Sequence, residues 1–202
     1  IGLDPRIGKR YLRGGLSYGG PCFPRDNKAM SVVAQKAGAD DALPVAVDTV
    51  NRGFMDRLAG LVVSQTQPGQ TVAVLGLAYK PGTNVIEESC GMALIAALAE
   101  QNMRVIAFDP QADPEPACLA SCQSTGSLEQ AVAQADVLVL TTPWPEIVEA
   151  LPGLLAKTST RKLVIDGWRA LSAEQIQDAA GLIAVGIGPS ATDPIQTHVA
   201  MH

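Results

Sequence analysis

Thr71-Val-Ala-Val-Leu-Gly-Leu-Ala-Tyr-Lys-Pro-Gly-Thr83 is the stretch that decides the fold. Thr71–Ala78 reads as a buried strand, a short run of apolar and β-branched residues closed by turn formers. Tyr79-Lys80-Pro81-Gly82-Thr83 reads as the turn after it. Downstream the pattern alternates. A helix is expected over Ser89–Gln101 with Ser89 as its cap, then a strand over Arg104–Asp109. Pro110–Gly126 is irregular, with a short helix around Ala117–Ser121. Next come a helix over Ser127–Gln134, a strand over Asp136–Thr142 and a short helix over Pro145–Leu151. A strand over Lys162–Trp168, a helix over Ser172–Ala179 and a strand over Leu182–Ile187 complete the series. Such alternation implies a parallel sheet with helices on both faces, and ligands bound beyond the carboxyl ends of the strands.

Upstream of Gln67-Pro-Gly-Gln70, a turn and expected domain boundary, the chain reads as helical. One helix is expected from Asp26 to about Ala37, ended by Gly38. A second starts near Ala42, carries Pro44 in its first turn and runs to about Gln65. Its apolar positions Leu43, Val47, Val50, Phe54, Leu58 and Leu61 form a near-heptad stripe. A stripe that long needs a partner, either another part of this chain or a second copy. The expected fold class is therefore α/β: a central all-helical region over 1–66, followed by a Rossmann-like parallel-sheet domain over 67–202.

Composition narrows the function. The chain has 202 residues, a net charge of −5 and 47% hydrophobic residues, as a globular domain does. The acidity is unclustered, which argues against nucleic acid and membrane surfaces as partners. No apolar run approaches the ~20 residues of a membrane span. The cysteines Cys22, Cys90, Cys118 and Cys122 are irregularly spaced, as free thiols of a cytoplasmic protein are. Cys118 and Cys122 have no second ligand pair nearby, and the only histidines are His198 and His202, so no metal site is expected. The chain opens on Ile1 rather than Met, and is expected to be part of something longer.

The densest chemistry lies in Gly15-Leu-Ser-Tyr-Gly-Gly-Pro-Cys-Phe-Pro-Arg-Asp26. Cys22 is placed at or just before a helix N-terminus, where unpaired N–H groups and the helix dipole favour a thiolate. Gly19 and Gly20 let a ligand approach the backbone. Asp26 falls one turn from the sulfur. These are the parts of a covalent catalytic site. A buried structural cysteine in a turn is the other reading open at this point. Arg6, Lys9, Arg10 and Arg13 form a basic cluster, either a solvated face or a diphosphate receptor. Lys80 is a candidate phosphate or sugar contact, or a plain loop lysine. Gly76 is followed by no glycine until Gly82, so a dinucleotide held by this domain alone is not expected.

Together these motifs resemble the UDP-glucose/GDP-mannose dehydrogenase family. The likeness runs through Asp4-Pro5-Arg6-Ile7-Gly8 and Tyr11-Leu12. It peaks in Gly19–Asp26, similar to the family's Gly-Gly-Ser-Cys-Phe-Pro-Lys-Asp, and continues in Val74–Pro81, Ala135–Val137 and Val164–Gly167. The resemblance implies oxidation of the C6 hydroxyl of a nucleotide sugar, most simply UDP-glucose, to a carboxylate with NAD. It implies Cys22 as the nucleophile and Asp26 as the group that positions water. It implies substrate contacts from Gly15, Tyr18, Gly19, Gly20 and Lys80, and a nucleotide site lined by Tyr11. Arg6 would reach the substrate of a neighbouring subunit, and the long helix would form a homodimer. NAD would be held mainly by an N-terminal domain that precedes this chain. Val85 and Glu87 stand where the family has an Asp and an Arg. That Arg helps bind the NAD pyrophosphate, so Glu87 is a departure at a cofactor-binding position, and a carboxylate there repels a diphosphate. Trp168 takes the place of a substrate-binding Arg, with Arg169 one position later as a substitute. Two further readings stand beside the enzyme: a non-catalytic nucleotide-sugar-binding relative, and a dehydrogenase acting on GDP-mannose or another UDP-sugar. An unrelated thiol hydrolase would need a histidine base, which the sequence offers only at its C-terminus.

Overall fold

A computed structural model describes residues 2–8, 14–113, 122–176 and 178–185. Two helices come first, α1 (Phe23–Lys36) and α2 (Ala42–Gln65). Helix α1 begins three residues before the expected Asp26, with Cys22 as its N-cap. Pro24 causes the shift: its fixed φ suits the first turn, where the missing N–H costs nothing. The helix ends in a Schellman motif. Gly38 at φ 68 sends its N–H to Gln35 O at 3.1 Å, and Ala39 N–H reaches Ala34 O at 2.9 Å. Asn27 and Ser31, on the inner face of α1, reach α2 and its N-cap through Pro44 O (2.8 Å) and Asp41 Oδ2 (2.5 Å).

The rest is a six-stranded, all-parallel sheet in the order β3-β2-β1-β4-β5-β6. Its strands are β1 (Thr71–Leu75), β2 (Arg104–Phe108), β3 (Gln123–Ser124), β4 (Val137–Leu140), β5 (Lys162–Asp166) and β6 (Ala180–Ala184). Helices α3 (Cys90–Glu100), α4 (Leu128–Gln134), α5 (Pro145–Leu155) and α6 (Ala173–Ile176) connect them. Right-handed crossovers place α3 on one face and α4 and α5 on the other, because strand order reverses between β1 and β4. Helix α3 packs on α2 on the first face, and α4, α5 and α6 pack in sequence on the second. Strand β4 is fully buried and β1 nearly so, as central parallel strands must be.

Several expected boundaries move. Strand β1 stops at Leu75 rather than Ala78, because Gly76 turns out of the strand at φ 104. Helix α5 continues four residues past Leu151, through Pro152. Burial of Leu151 and Leu155 holds that last turn on the sheet although proline removes one helical bond. The short β3 lies in a segment expected to be irregular, and β6 begins two residues before Leu182. The short helix expected around Ala117–Ser121 lies outside the described residues, as do Tyr11, His198 and His202. Among the described residues no helix is long and apolar enough to cross a membrane.

The apolar stripe of α2 divides into two halves. Leu58, Ala59 and Val62 are buried, and Phe54 and Leu61 pack at the edge of the sheet-domain core. Leu43 and Val50 remain 71% and 67% exposed, with Val47 beside them. The C-terminal half therefore finds its partner within the chain, and the N-terminal half is left exposed among the described residues. We expect Leu58→Ala to lower stability by about 2–5 kcal/mol and Val50→Ala by less than about 0.5 kcal/mol. Urea unfolding of the two variants at low protein concentration checks the contrast.

Candidate active site

Cys22 is exposed, which removes the buried structural reading. It caps α1 at φ −100, ψ −62, and its carbonyl accepts the Asp26 N–H at 2.8 Å. The Asp26 carboxylate is in solvent and accepts from Arg25 Nε at 3.2 Å. The Arg25 guanidinium is held above its ordinary value by this hydrogen bond, and further by the negative field of Asp26, Cys22 and Glu87. Thiol, carboxylate, guanidinium and Glu87 thus share one exposed cluster.

The loop leading to Cys22 is clasped by both halves of the chain. The Tyr18 N–H donates to Asn51 Oδ1 at 2.9 Å, and Asn51 Nδ2 donates to Tyr18 O at 3.0 Å. Ser17 Oγ donates to Asn51 O at 2.8 Å. From the sheet side, the Cys90 thiol donates to Ser17 O at 3.0 Å, and Gly20 N–H donates to Glu87 O at 3.1 Å. A Cβ on Gly15 would fall 2.4 Å from the Trp168 ring, and one on Gly19 would fall 2.0 Å from Glu88 O. Gly20, at φ 85, lies against the Tyr79 ring. The loop therefore covers the carboxyl ends of β1 and β5, where a doubly wound sheet binds its ligands.

This geometry sorts the expected site residues. Gly15, Tyr18, Gly19, Gly20, Cys22, Asp26 and Glu87 come together. Lys80 joins them through Tyr79, its exposed ammonium 5.3 Å from that ring centroid. Arg169 follows the clamping Trp168 at φ 52 and is exposed. Trp168 itself donates from Nε1 to Thr141 O at 2.8 Å, so its indole anchors a loop rather than supplying a cation. Two expected donors are already used inside the protein, the N–H groups of Tyr18 and Gly20. Arg6 is 86% exposed and paired with Asp4 at 2.7 Å. Tyr11 lies outside the described residues. Sequence reading missed Asn51, whose sign was a lone amide within an apolar helical stripe. It also missed the clamping role of Trp168.

A groove of 690 Å³ lies between α2 and α3 and is lined by Tyr18, Met55, Asp56, Ile86 and Met92 among others, but not by Cys22 or Lys80. The Tyr18 hydroxyl is enclosed without a hydrogen-bond partner among the described residues. Burial, with the field of Asp48, raises its pKa.

A dinucleotide does not fit the turn after β1. The N–H groups of Leu77 and Ala78 donate to Asp109 Oδ2 at 2.7 and 3.0 Å, which leaves neither for a pyrophosphate. Glu87 adds its negative field to that of Asp26 at Arg25.

Comparison with known proteins agrees with this architecture. Residues 73–173 match the UDP binding domain of the UDP-glucose/GDP-mannose dehydrogenase family, and residues 1–53 match its central domain. The chain belongs to the UDP-glucose/GDP-mannose dehydrogenase family. It is 34% identical over 194 residues to the UDP-glucose 6-dehydrogenase TuaD of Bacillus subtilis, covering 93% of this chain and 41% of that protein. It is 36% identical over 185 residues to the UDP-glucose 6-dehydrogenase AglM of Haloferax volcanii, covering 91% and 43%. The structure of a UDP-glucose dehydrogenase from Pyrobaculum islandicum superposes with a TM-score of 0.72 at 30% identity, covering 90% of this chain and 40% of that one. The chain thus spans less than half the length of these relatives.

Burial raises the Cys90 thiol to about 12. Because this lies above the unfolded value of 9.0, the stability it contributes is complete below pH 9 and is lost as pH rises toward 12. At pH 8 iodoacetamide should modify Cys22 in the native protein and leave Cys90 intact until urea unfolds it. Peptide mapping by mass spectrometry reads both sites.

Proposed function

We propose that this chain supplies the substrate-binding and nucleophilic part of an NAD-dependent nucleotide-sugar 6-dehydrogenase that converts UDP-glucose to UDP-glucuronate. The observation that carries the reading is the exposed Cys22, capping α1 on a loop clasped over the ligand end of the UDP-binding domain. The Cys22 sulfur adds to a C6 aldehyde and holds it as a thiohemiacetal. Oxidation belongs to NAD, for which these residues provide no diphosphate cradle, and the cofactor is assigned to a domain outside this chain. Asp26, one turn from the sulfur, orients the water that releases the carboxylate from the thioester. Lys80 faces the nucleotide diphosphate as a point charge, and backbone N–H groups of the Gly15–Gly20 loop other than those of Tyr18 and Gly20 hold the sugar. Arg6, exposed and paired with Asp4, is assigned to a neighbouring subunit's site.

That neighbour is a second copy. Leu43, Val47 and Val50 of α2 and Met30 and Val33 of α1 are exposed apolar side chains on the helical hairpin. Exposed apolar area of this kind marks an interface.

Calorimetric titration with UDP-glucose tests the pocket. We expect binding to the 202-residue chain, about tenfold weaker in Lys80→Ala from loss of one charge-assisted contact, and slower alkylation of Cys22 in the saturated protein. Absence of binding would sink the reading. In the enzyme that joins this chain to an NAD-binding domain, Cys22→Ala should abolish NADH formation from UDP-glucose. Binding of UDP-glucose without any turnover in that enzyme would favour the non-catalytic binding module. For the interface, sedimentation velocity should give a dimer, and Leu43→Asp with Val50→Asp a monomer.

A further inference from the structure

Asp109 follows β2 and collects five N–H donors. Its Oδ2 accepts from Leu77 N (2.7 Å), Ala78 N (3.0 Å) and Trp144 Nε1 (2.9 Å), and its Oδ1 from Gln111 N and Ala112 N, both at 2.9 Å. The donors come from the turns after β1 and β2 and from the residue that caps α5 after β4. Those three segments meet where the strand order reverses. In doubly wound sheets the first βα turn there offers its N–H groups to a ligand anion. Here the anion is part of the chain.

We propose that Asp109 is a built-in anion that fills the phosphate-type cradle of the sheet and thereby acts as the positioning residue for the Lys80 turn. The first half stands on the hydrogen bonds alone. The second rests on the reading of Lys80 as a contact to a nucleotide-sugar diphosphate. The mechanical link runs through three consecutive residues. Leu77 and Ala78 are held by Asp109, the Ala78 carbonyl accepts from Thr142 Oγ1 at 2.6 Å, and Tyr79 N–H is tied to Val85 O at 2.9 Å. Lys80 is the next residue, over the Tyr79 ring. A carboxylate within the cradle also repels a second anion. The diphosphate is therefore directed away from the turn amides and toward the Lys80 ammonium.

Removing the carboxylate while keeping its donors gives a direct test. In Asp109→Ala, formate should re-enter the cradle. The thermal midpoint should fall by several degrees and recover with added formate, while the wild-type midpoint does not respond. An equal response of both proteins to formate would show that no anion cradle exists. Calorimetry tests the positioning half. Asp109→Ala should bind UDP-glucose about fivefold more weakly, partly recovered by formate, and should add nothing further in the Lys80→Ala background. Unchanged affinity in Asp109→Ala, or full additivity with Lys80→Ala, would overturn it. Should Asp109→Ala fail to fold, Asp109→Asn serves. It keeps an oxygen for Leu77 and Ala78 but turns an amide NH2 toward the donors of Gln111 and Ala112, so a lowered midpoint and weaker binding are expected. Wild-type values for both would reject the proposal. If UDP-glucose binds no form of the protein, the proposed function fails together with the positioning half, and the formate response alone decides the cradle.

Discussion

Backbone positions without room for a Cβ join the two halves of this chain. Gly15 lies under the Trp168 ring, Gly19 against the Glu88 carbonyl, and Gly20 against Tyr79. Any side chain at these points would have to displace backbone or a packed aromatic ring, so the loop before Cys22 has one seat on the sheet. Asn51 closes the clasp from the other side through its paired hydrogen bonds with Tyr18. Cys22 therefore sits on a helix cap, and the segment leading to it is fixed by elements distant in sequence. Reactive residues gain from this arrangement because orientation is set before the ligand arrives.

The same economy of backbone donors shapes what the sheet can bind. The strand order is that of a dinucleotide-binding fold, yet the amides of the first turn are consumed by Asp109 and the strand end is closed by Gly76 packing on Thr142. On the outer rim of the loops, Lys80 lies over the Tyr79 ring that packs on Gly20, and Arg169 follows the Trp168 ring that packs on Gly15. Helix α2 serves both regions. Its buried C-terminal half is part of the sheet-domain core, and its exposed N-terminal half carries an apolar surface outward with α1.

Much of this was legible before any coordinates. Both bounds of α2 follow from Pro44 in its first turn and from the Pro-Gly turn after it. Ser89 and Ser127 cap their helices through hydrogen bonds to the backbone N–H groups of Met92 and Gln130. Strand ends were less legible, because an apolar run does not reveal where a glycine such as Gly76 takes a positive φ. Helix α5 was expected too short, since Pro152 reads as a stop until the burial of Leu155 is known. At the site, Cys22, Asp26, Lys80 and the glycines were marked by residue type and spacing. The Asn51 side chain bonds a residue 33 positions away, Asp109 reaches residues 31, 32 and 35 positions away besides its local bonds, and the Trp168 indole reaches one 27 away, distances that local pattern does not encode.

By itself the sequence determined most element types, the family signature and the candidate status of Cys22. These follow from local propensity, periodicity and the chemistry of short motifs. Only the tertiary structure decided how the parts are used. It exposed Cys22 rather than burying it, took the Tyr18 and Gly20 amides for internal bonds, and split the α2 stripe between core and surface. It also placed the Asp109 carboxylate against the amides of the first turn. The physical reason is common to all four. Whether a donor, a thiol or an apolar side chain is free depends on what the fold brings against it, and here those neighbours come from other segments of the chain.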